Sequence, residues 1–176
     1  MAVESLHHHT AAQPHRGPIV IAPPTARDTL ALRQLFRQAL RDDFQYFSPT
    51  YTDQISRQNS LWRLLLARYK SDRVIIVAKA KGQIVGYAIG SLTPQHNGEL
   101  YWLYVDPAHR TGNIGATLLS AILREMGRRG SGKVTLVTYD LRDYYLRHGF
   151  SHRGKQRIHN QDLDVMEYEV GSRAGA

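Results

Sequence analysis

The chain contains no cysteine. That removes disulfides, thiolate metal sites and cysteine nucleophiles together, and it suits a reducing, cytoplasmic setting. No apolar run approaches bilayer length, so no transmembrane helix is expected. The N-terminus lacks a signal-peptide apolar region, so secretion by that route is not expected. Neither Gly-x-x-x-x-Gly-Lys nor Gly-x-Gly-x-x-Gly occurs, which excludes a Walker loop and a dinucleotide fingerprint. Nothing resembles a nucleophile elbow, no internal repeat appears, and no cluster has metal-ligand spacing. Long basic blocks are also missing: only Arg128 and Arg129 stand side by side, although Lys and Arg number 23 against 15 acids, a net charge of +8. The arginines read as scattered over solvated faces, which counts against nucleic-acid binding.

What is present fits one domain. The 176 residues are 42% hydrophobic, enough for a sizeable core. Residues 1–17, with His7-His8-His9, read as a flexible tail, residues 18–171 as a single domain, and 172–176 as a second tail. Ile19-Val20-Ile21 is a short strand stopped by Pro23-Pro24. Thr25 and Asp28 form a capping box ahead of Leu32, Leu35, Phe36 and Ala39, which recur at helical spacing to about residue 41. An aromatic loop over Phe44–Tyr51 follows, then a second helix from about Thr52 to Tyr69. Its apolar side includes Trp62, and Arg57, Arg63 and Arg68 point outward. Three strands come next, Arg73–Lys79, Gln83–Ser91 and Glu99–Val105. After a loop, Ile114, Leu118, Ile122 and Met126 mark a helix ending near Gly130–Gly132. Lys133–Tyr139 reads as a buried strand, Leu141–His148 as a short helix closed by Gly149, and Phe150–Arg153 and Asp162–Val170 as final strands. The order predicts an α+β fold, an α/β/α sandwich around one mixed, mostly antiparallel sheet of about seven strands.

One stretch organises this order: Leu103-Tyr-Val-Asp-Pro-Ala-His-Arg-Thr-Gly-Asn-Ile-Gly-Ala-Thr-Leu-Leu119. Pro107 ends the strand because it cannot donate to a ladder. Gly112 and Gly115 let backbone approach a ligand closely, and a helix starts there with unpaired N–H groups and the positive end of its dipole. Together with Arg110 this is an anion site, and phosphate is the usual anion. A tight strand-to-helix turn serving packing alone is the other reading.

With this stretch and Tyr144-Tyr-Leu-Arg-His-Gly-Phe150 in that order, the chain resembles the GNAT superfamily of acyl-CoA-dependent N-acetyltransferases. The first matches the family's strand, pyrophosphate loop and helix, with core Arg/Gln-x-x-Gly-x-Gly/Ala; the second matches its Tyr-x-x-x-Gly-Phe segment. The resemblance implies that Arg110, Thr111, Gly112, Asn113, Ile114, Gly115 and Ala116 hold the pyrophosphate of acetyl-CoA, the acyl-donor substrate. It also implies that Leu103, Tyr104 and Val105 splay from the neighbouring strand and pair with the pantetheine arm. Two departures stand out. Asn113 occupies the first family glycine's place, where a tighter loop with an intact N–H is expected. The Asn often found between Tyr139 and Tyr144 is missing, and that connection looks short.

The implied chemistry is direct attack of a primary amine on the thioester, with backbone N–H groups holding the oxyanion. The leaving thiolate gains from a proton donor, and Tyr145, in the family tyrosine's place, is the candidate acid. Packing of Tyr145 with Tyr144 facing the site is the alternative. Glu99, in the place of the catalytic glutamate of the histone-acetylating branch, is the candidate base; an exposed strand-start carboxylate is its alternative. His109, His148 and His152 lie near in sequence without an assigned role. Phe44, Tyr46, Phe47, Tyr51 and Trp62 are candidates to line the acceptor pocket, or to pack the core. A small-molecule amine is slightly favoured over a protein N-terminus or lysine, because the short chain leaves little room for a docking module. A non-catalytic acyl-CoA sensor of the same fold is the alternative function, and a homodimer stays open.

Overall fold

The sheet begins where the sequence expects it, at β1 (Ile19–Ala22), ended by two prolines. The computed structural model describes residues 18–42, 72–110, 112–158 and 161–171. The expected tails, the aromatic loop, the helix from about Thr52 to Tyr69 and Thr111 lie outside those residues. The capping box is present: Asp28 accepts from both the Thr25 N–H (2.6 Å) and its hydroxyl (2.7 Å). A 3-10 turn (Ala26–Asp28) leads into α1 (Thr29–Asp42), which buries Leu32, Leu35, Phe36, Ala39 and Leu40. Burial works to raise the Asp28 carboxyl, but Lys79 Nζ at 2.7 Å and Thr25 overcome it, and the net shift is downward.

β2 (Arg73–Ala80) and β3 (Gln83–Leu92) are joined by Lys81-Gly82 alone, both at positive φ, the geometry of the tightest hairpins. β4 (Gly98–Val105) follows, then a 3-10 turn (Pro107–His109) and α2 (Ile114–Arg128). β5 (Lys133–Thr138), α3 (Arg142–Arg147), β6 (Ser151–Ile158) and β7 (Gln161–Glu169) complete the described order. The strands form one seven-stranded sheet in the order β1-β2-β3-β4-β5-β7-β6, and only β4 and β5 run parallel. The α+β expectation holds. β5 is a correction: its burial alternates residue by residue, because one face meets the core and the other does not. β6 also runs five residues beyond the expected Arg153.

Two cores sandwich the sheet. α2 and α3 cover one face, where Leu118, Leu119, Ile122, Met126 and Tyr145 meet Leu103, Val105 and Leu136. α1 covers the other, packing Leu35, Phe36 and Leu40 with Val77, Tyr87, Trp102 and Tyr104. Each large side chain so buried contributes about 1.5–3 kcal/mol.

Both α2 and α3 end in the same way. Gly130 and Gly149 take φ of 92° and 86°, and the following amides, Ser131 and Phe150, return to the Met126 and Tyr145 carbonyls at 3.0 and 3.1 Å. These are Schellman caps. In α3 the hydrophobic contact that accompanies such a cap is Tyr145 on Phe150, with ring centroids 5.3 Å apart. The Tyr-x-x-x-Gly-Phe spacing is therefore also a helix stop.

Candidate active site

β4 carries the site because it belongs to two neighbours at one end and one at the other. With β3 it pairs along its length, but with β5 the ladder holds only Gly98↔Val134 and Glu99↔Thr135. From Leu100 onward β4 continues without a β5 rung, which leaves backbone groups along that side for another extended partner. Glu99 stands on the last rung, where the two strands part.

The register with β3 slips at the same point: Ile89 faces Trp102 while Gly90 faces Leu100, so Tyr101 is an extra residue. The bulge puts Tyr101 and Trp102 successively toward α1, after which alternation resumes with Leu103 and Val105 toward α2. Tyr101 is thereby brought over Glu99. Its phenol donates to Glu99 Oε2 at 2.7 Å and lies 2.6 Å from Ser91 Oγ, so the serine hydroxyl donates in turn. Arg73 sits over the Tyr101 ring, 5.7 Å from its centroid. Burial pushes the Tyr101 phenol up, Ser91 pulls it down and Glu99 pushes it up again, with a net rise. The sequence reading missed Ser91 and Tyr101, because a bulge leaves no mark in a run such as Leu-Tyr-Trp-Leu-Tyr-Val.

The candidate anion loop lies at the far end of β4. Gly112 (φ 93°) and Asn113 (φ 63°, ψ 23°) are both left-handed, and Asn113 caps α2 through its carbonyl, which accepts from the Thr117 N–H (3.1 Å) and hydroxyl (3.0 Å). Asparagine fills the glycine position because it tolerates that region best among residues with a Cβ. Ile114, Gly115 and Ala116 form the first turn of α2, with Ile114 and Ala116 buried. Their N–H groups are the orphan donors of that first turn. Thr111 lies outside the described residues.

Arg110 is placed differently from a free loop cation. Its Nε donates to the Val105 carbonyl at 3.0 Å and its guanidinium covers the Tyr104 ring at 5.7 Å. It ties the loop to the strand. Tyr104 is fully buried and donates its hydroxyl to Asp42, the last residue of α1; burial first, then that carboxylate, push its phenol well above the ordinary range. Leu103 and Val105 are both buried toward α2 on the part of β4 that has no β5 rung, and Arg110 already occupies the Val105 carbonyl.

Tyr145 is also fully buried, edge-on to Tyr144 at 5.2 Å, while Tyr144 is half-buried against His148 at 4.5 Å. Thr138 Oγ1 accepts from the Leu141 N–H (3.3 Å), so β5 turns into α3 through Tyr139–Leu141 alone. The histidines do not converge: His109 faces Asp106 at 3.7 Å and His152 faces Asp164 at 2.9 Å. Among the described residues no group of three metal-ligating side chains occurs, and no helix is long and apolar enough to cross a membrane.

Comparison with known proteins agrees with this geometry. The sequence profile of the acetyltransferase (GNAT) family matches residues 33–150. No curated protein matches the chain. Among solved structures, it is similar to the PaiA N-acetyltransferase of Thermoplasma acidophilum in complex with coenzyme A, at 22% identity and TM-score 0.72, covering 86% of this chain and 99% of that one. The ribosomal-protein-alanine N-acetyltransferase of Brucella melitensis is similar at 25% identity and TM-score 0.70, over 86% and 99% of the two chains. An aminoglycoside 6'-acetyltransferase of type Ii is similar at 17% identity and TM-score 0.66, over 86% and 97%.

Proposed function

We propose that this chain, which belongs to the GNAT acetyltransferase family and is an N-acetyltransferase, moves an acetyl group from acetyl-CoA to a primary amine by direct attack. The observation that carries the reading is the parting of β4 and β5 after Glu99, which leaves an unpaired strand edge running on to a left-handed loop that opens α2. A thioester on a long phosphorylated handle fits both parts. Its pyrophosphate meets the N–H groups of residues 111–116, and its amide-bearing arm extends along Leu103, Tyr104 and Val105 as the missing strand.

In this reading Glu99, held by Tyr101, takes the proton from the amine, directly or through a water. Backbone N–H groups at the bulged part of β4 stabilise the oxyanion, and the thiolate leaves toward α3. Tyr145 gives the sulfur a hydrogen bond. Arg110 also acts through the strand, holding the Val105 carbonyl and covering the Tyr104 ring.

The acceptor is set outside this machinery. Similar folds serve a ribosomal-protein alanine in one neighbour and an aminoglycoside in another, so fold alone does not choose. A small amine suits a chain with little room for a docking module, and the groove beside α1 supplies such room. Thiol release from acetyl-CoA, measured against a panel of small amines and peptides, tests the reaction. Release that needs an amine and falls sharply in Tyr145→Phe is the expected result. Stabilisation by acetyl-CoA without thiol release for any amine would instead favour the acyl-CoA sensor.

A further inference from the structure

Helix α1 gathers charge that the linear sequence disperses. Arg33, Arg37 and Arg41 recur at every fourth residue, which stacks them along one side of the helix about 6 Å apart. Arg37 and Arg41 are exposed, and among the described residues none of the three is engaged in an ion pair. Leu30 stands among them, 63% exposed. No acid interrupts this side: Asp28 faces Lys79 and Asp42 receives Tyr104.

A groove of about 1040 Å³ runs alongside, between α1 and the β2–β3 hairpin. Arg27 and Arg41 both line it, 14 residues apart, or about 20 Å along a helix. That length matches about six residues of extended chain. Gln34, Gln38 and Gln83 line it with amides able to pair with a peptide backbone, and Ala31, Leu35 and Ile84 give it apolar ground. Of its two carboxylates, Asp28 is paired with Lys79 at 2.7 Å and Asp106 accepts from the Ala108 N–H at 3.0 Å; among the described residues neither is paired with Arg27 or Arg41.

We propose that this groove docks an acidic, extended polypeptide segment of the acceptor. The inference rests on the acetyltransferase reading and narrows its acceptor class to polypeptides with carboxylates near the reacting amine. Position favours it: Arg41 precedes Asp42, whose bond to Tyr104 reaches β4 itself, and Asp106 follows the end of that strand. Nucleic acid fits less well. The described lining holds no aromatic ring on which a base could stack.

The test uses the whole chain and fluorescence anisotropy. The probe is a decapeptide of alternating Glu and Leu with a free α-amine and a C-terminal label. Its comparators are the same peptide with Lys for Glu, and a labelled ten-nucleotide uridine RNA. The Glu peptide should bind the wild type at low salt, and the double variant Arg27→Glu, Arg41→Glu should weaken it by about tenfold or more. Arg157→Glu, on the distant strand β6, should leave it unchanged. Equal binding by the double variant, tighter binding of the RNA than of the Glu peptide, or no binding of the Glu peptide would each overturn the proposal. Thermal stabilisation by CoA, measured on the same three proteins, reports separately on the acetyl-CoA reading. It should be the same in all three, and its absence in the wild type would sink that reading and leave the groove result standing.

Discussion

Asn113 holds a left-handed conformation at the entrance of α2, and its side chain makes no cap there. The residue is present for its backbone. Replacing it by glycine should leave both stability and the acetyl-CoA Michaelis constant close to wild type. Valine at the same place should cost about 1–2 kcal/mol in denaturant unfolding and raise that constant, since a β-branched residue resists positive φ. An Asn113→Val protein with unchanged acetyl-CoA affinity would show that the loop geometry does not matter to binding. At the other end of β4, Glu99→Gln should lower kcat by about a hundredfold with little effect on the donor's Michaelis constant. Tyr101→Phe should give a loss of kcat of about tenfold, because the carboxylate keeps its charge but loses its orientation. Equal activity of both variants with the wild type would remove the Ser91–Tyr101–Glu99 chain from the mechanism. Residues of this kind divide by legibility. Asn113 was readable, since only a few residue types suit a glycine position. Tyr101 was not, since the bulge that turns it toward Glu99 depends on the register between two strands.

At the level of elements, two local devices do most of the positioning. The Schellman caps fix where α2 and α3 stop, and Gly149→Ala should destabilise the fold by about 1 kcal/mol through its positive φ alone. Gly90 has a different task. A Cβ there would collide with the Glu99 carbonyl oxygen and the Met126 methyl, and one at Gly98 would come within 2.8 Å of Val134 and 2.9 Å of the Met126 sulfur. The methionine can swing, but the Glu99 carbonyl belongs to the ladder beside the bulge. Gly90→Ala should therefore lower both thermal stability and kcat, and partial restoration by adding Met126→Ala would identify which contact dominates. Strand and helix boundaries, including the capping box and the two-residue hairpin, follow from local chemistry and were legible. The side of α1 that carries Arg33, Arg37 and Arg41 was written in the sequence at helical spacing. Its meaning appears only with the hairpin that makes the other wall of the groove.

For the whole molecule, carboxylates engaged by cations set the response to acid. Glu125 accepts from Arg128 and Arg129 at 2.8 Å each, and those bonds hold its carboxyl down to about 2. The carboxyl of Glu167 is lowered in the same direction, first by its bond from Lys133 and then by that from Arg153. A lowered folded value means stability that is complete above the unfolded value and lost as pH falls. For Glu125 that window runs from 4.5 down to about 2. Glu125→Gln should cost about 1 kcal/mol at neutral pH, allowing for the exposure of Arg128, and the difference should vanish near the bottom of that window. A variant penalty that persists at the lowest pH would assign it to packing instead.

The parting of β4 from β5 also divides the way the molecule opens. A sheet joined across its middle by two rungs has a seam in its ladder, with β1 to β4 on one side and β5, β7 and β6 on the other, and the core under α2 bridges it. Amide protons on the seam side of Leu100–Val105 should exchange quickly in the free protein, while those bonded to β3 exchange only with larger openings. A bound donor that supplies the absent rungs makes the seam continuous. Slowed exchange would then be expected in β5 and β7 as well as along the strand it touches, so that the acyl donor becomes, for as long as it stays, a structural member of the sheet.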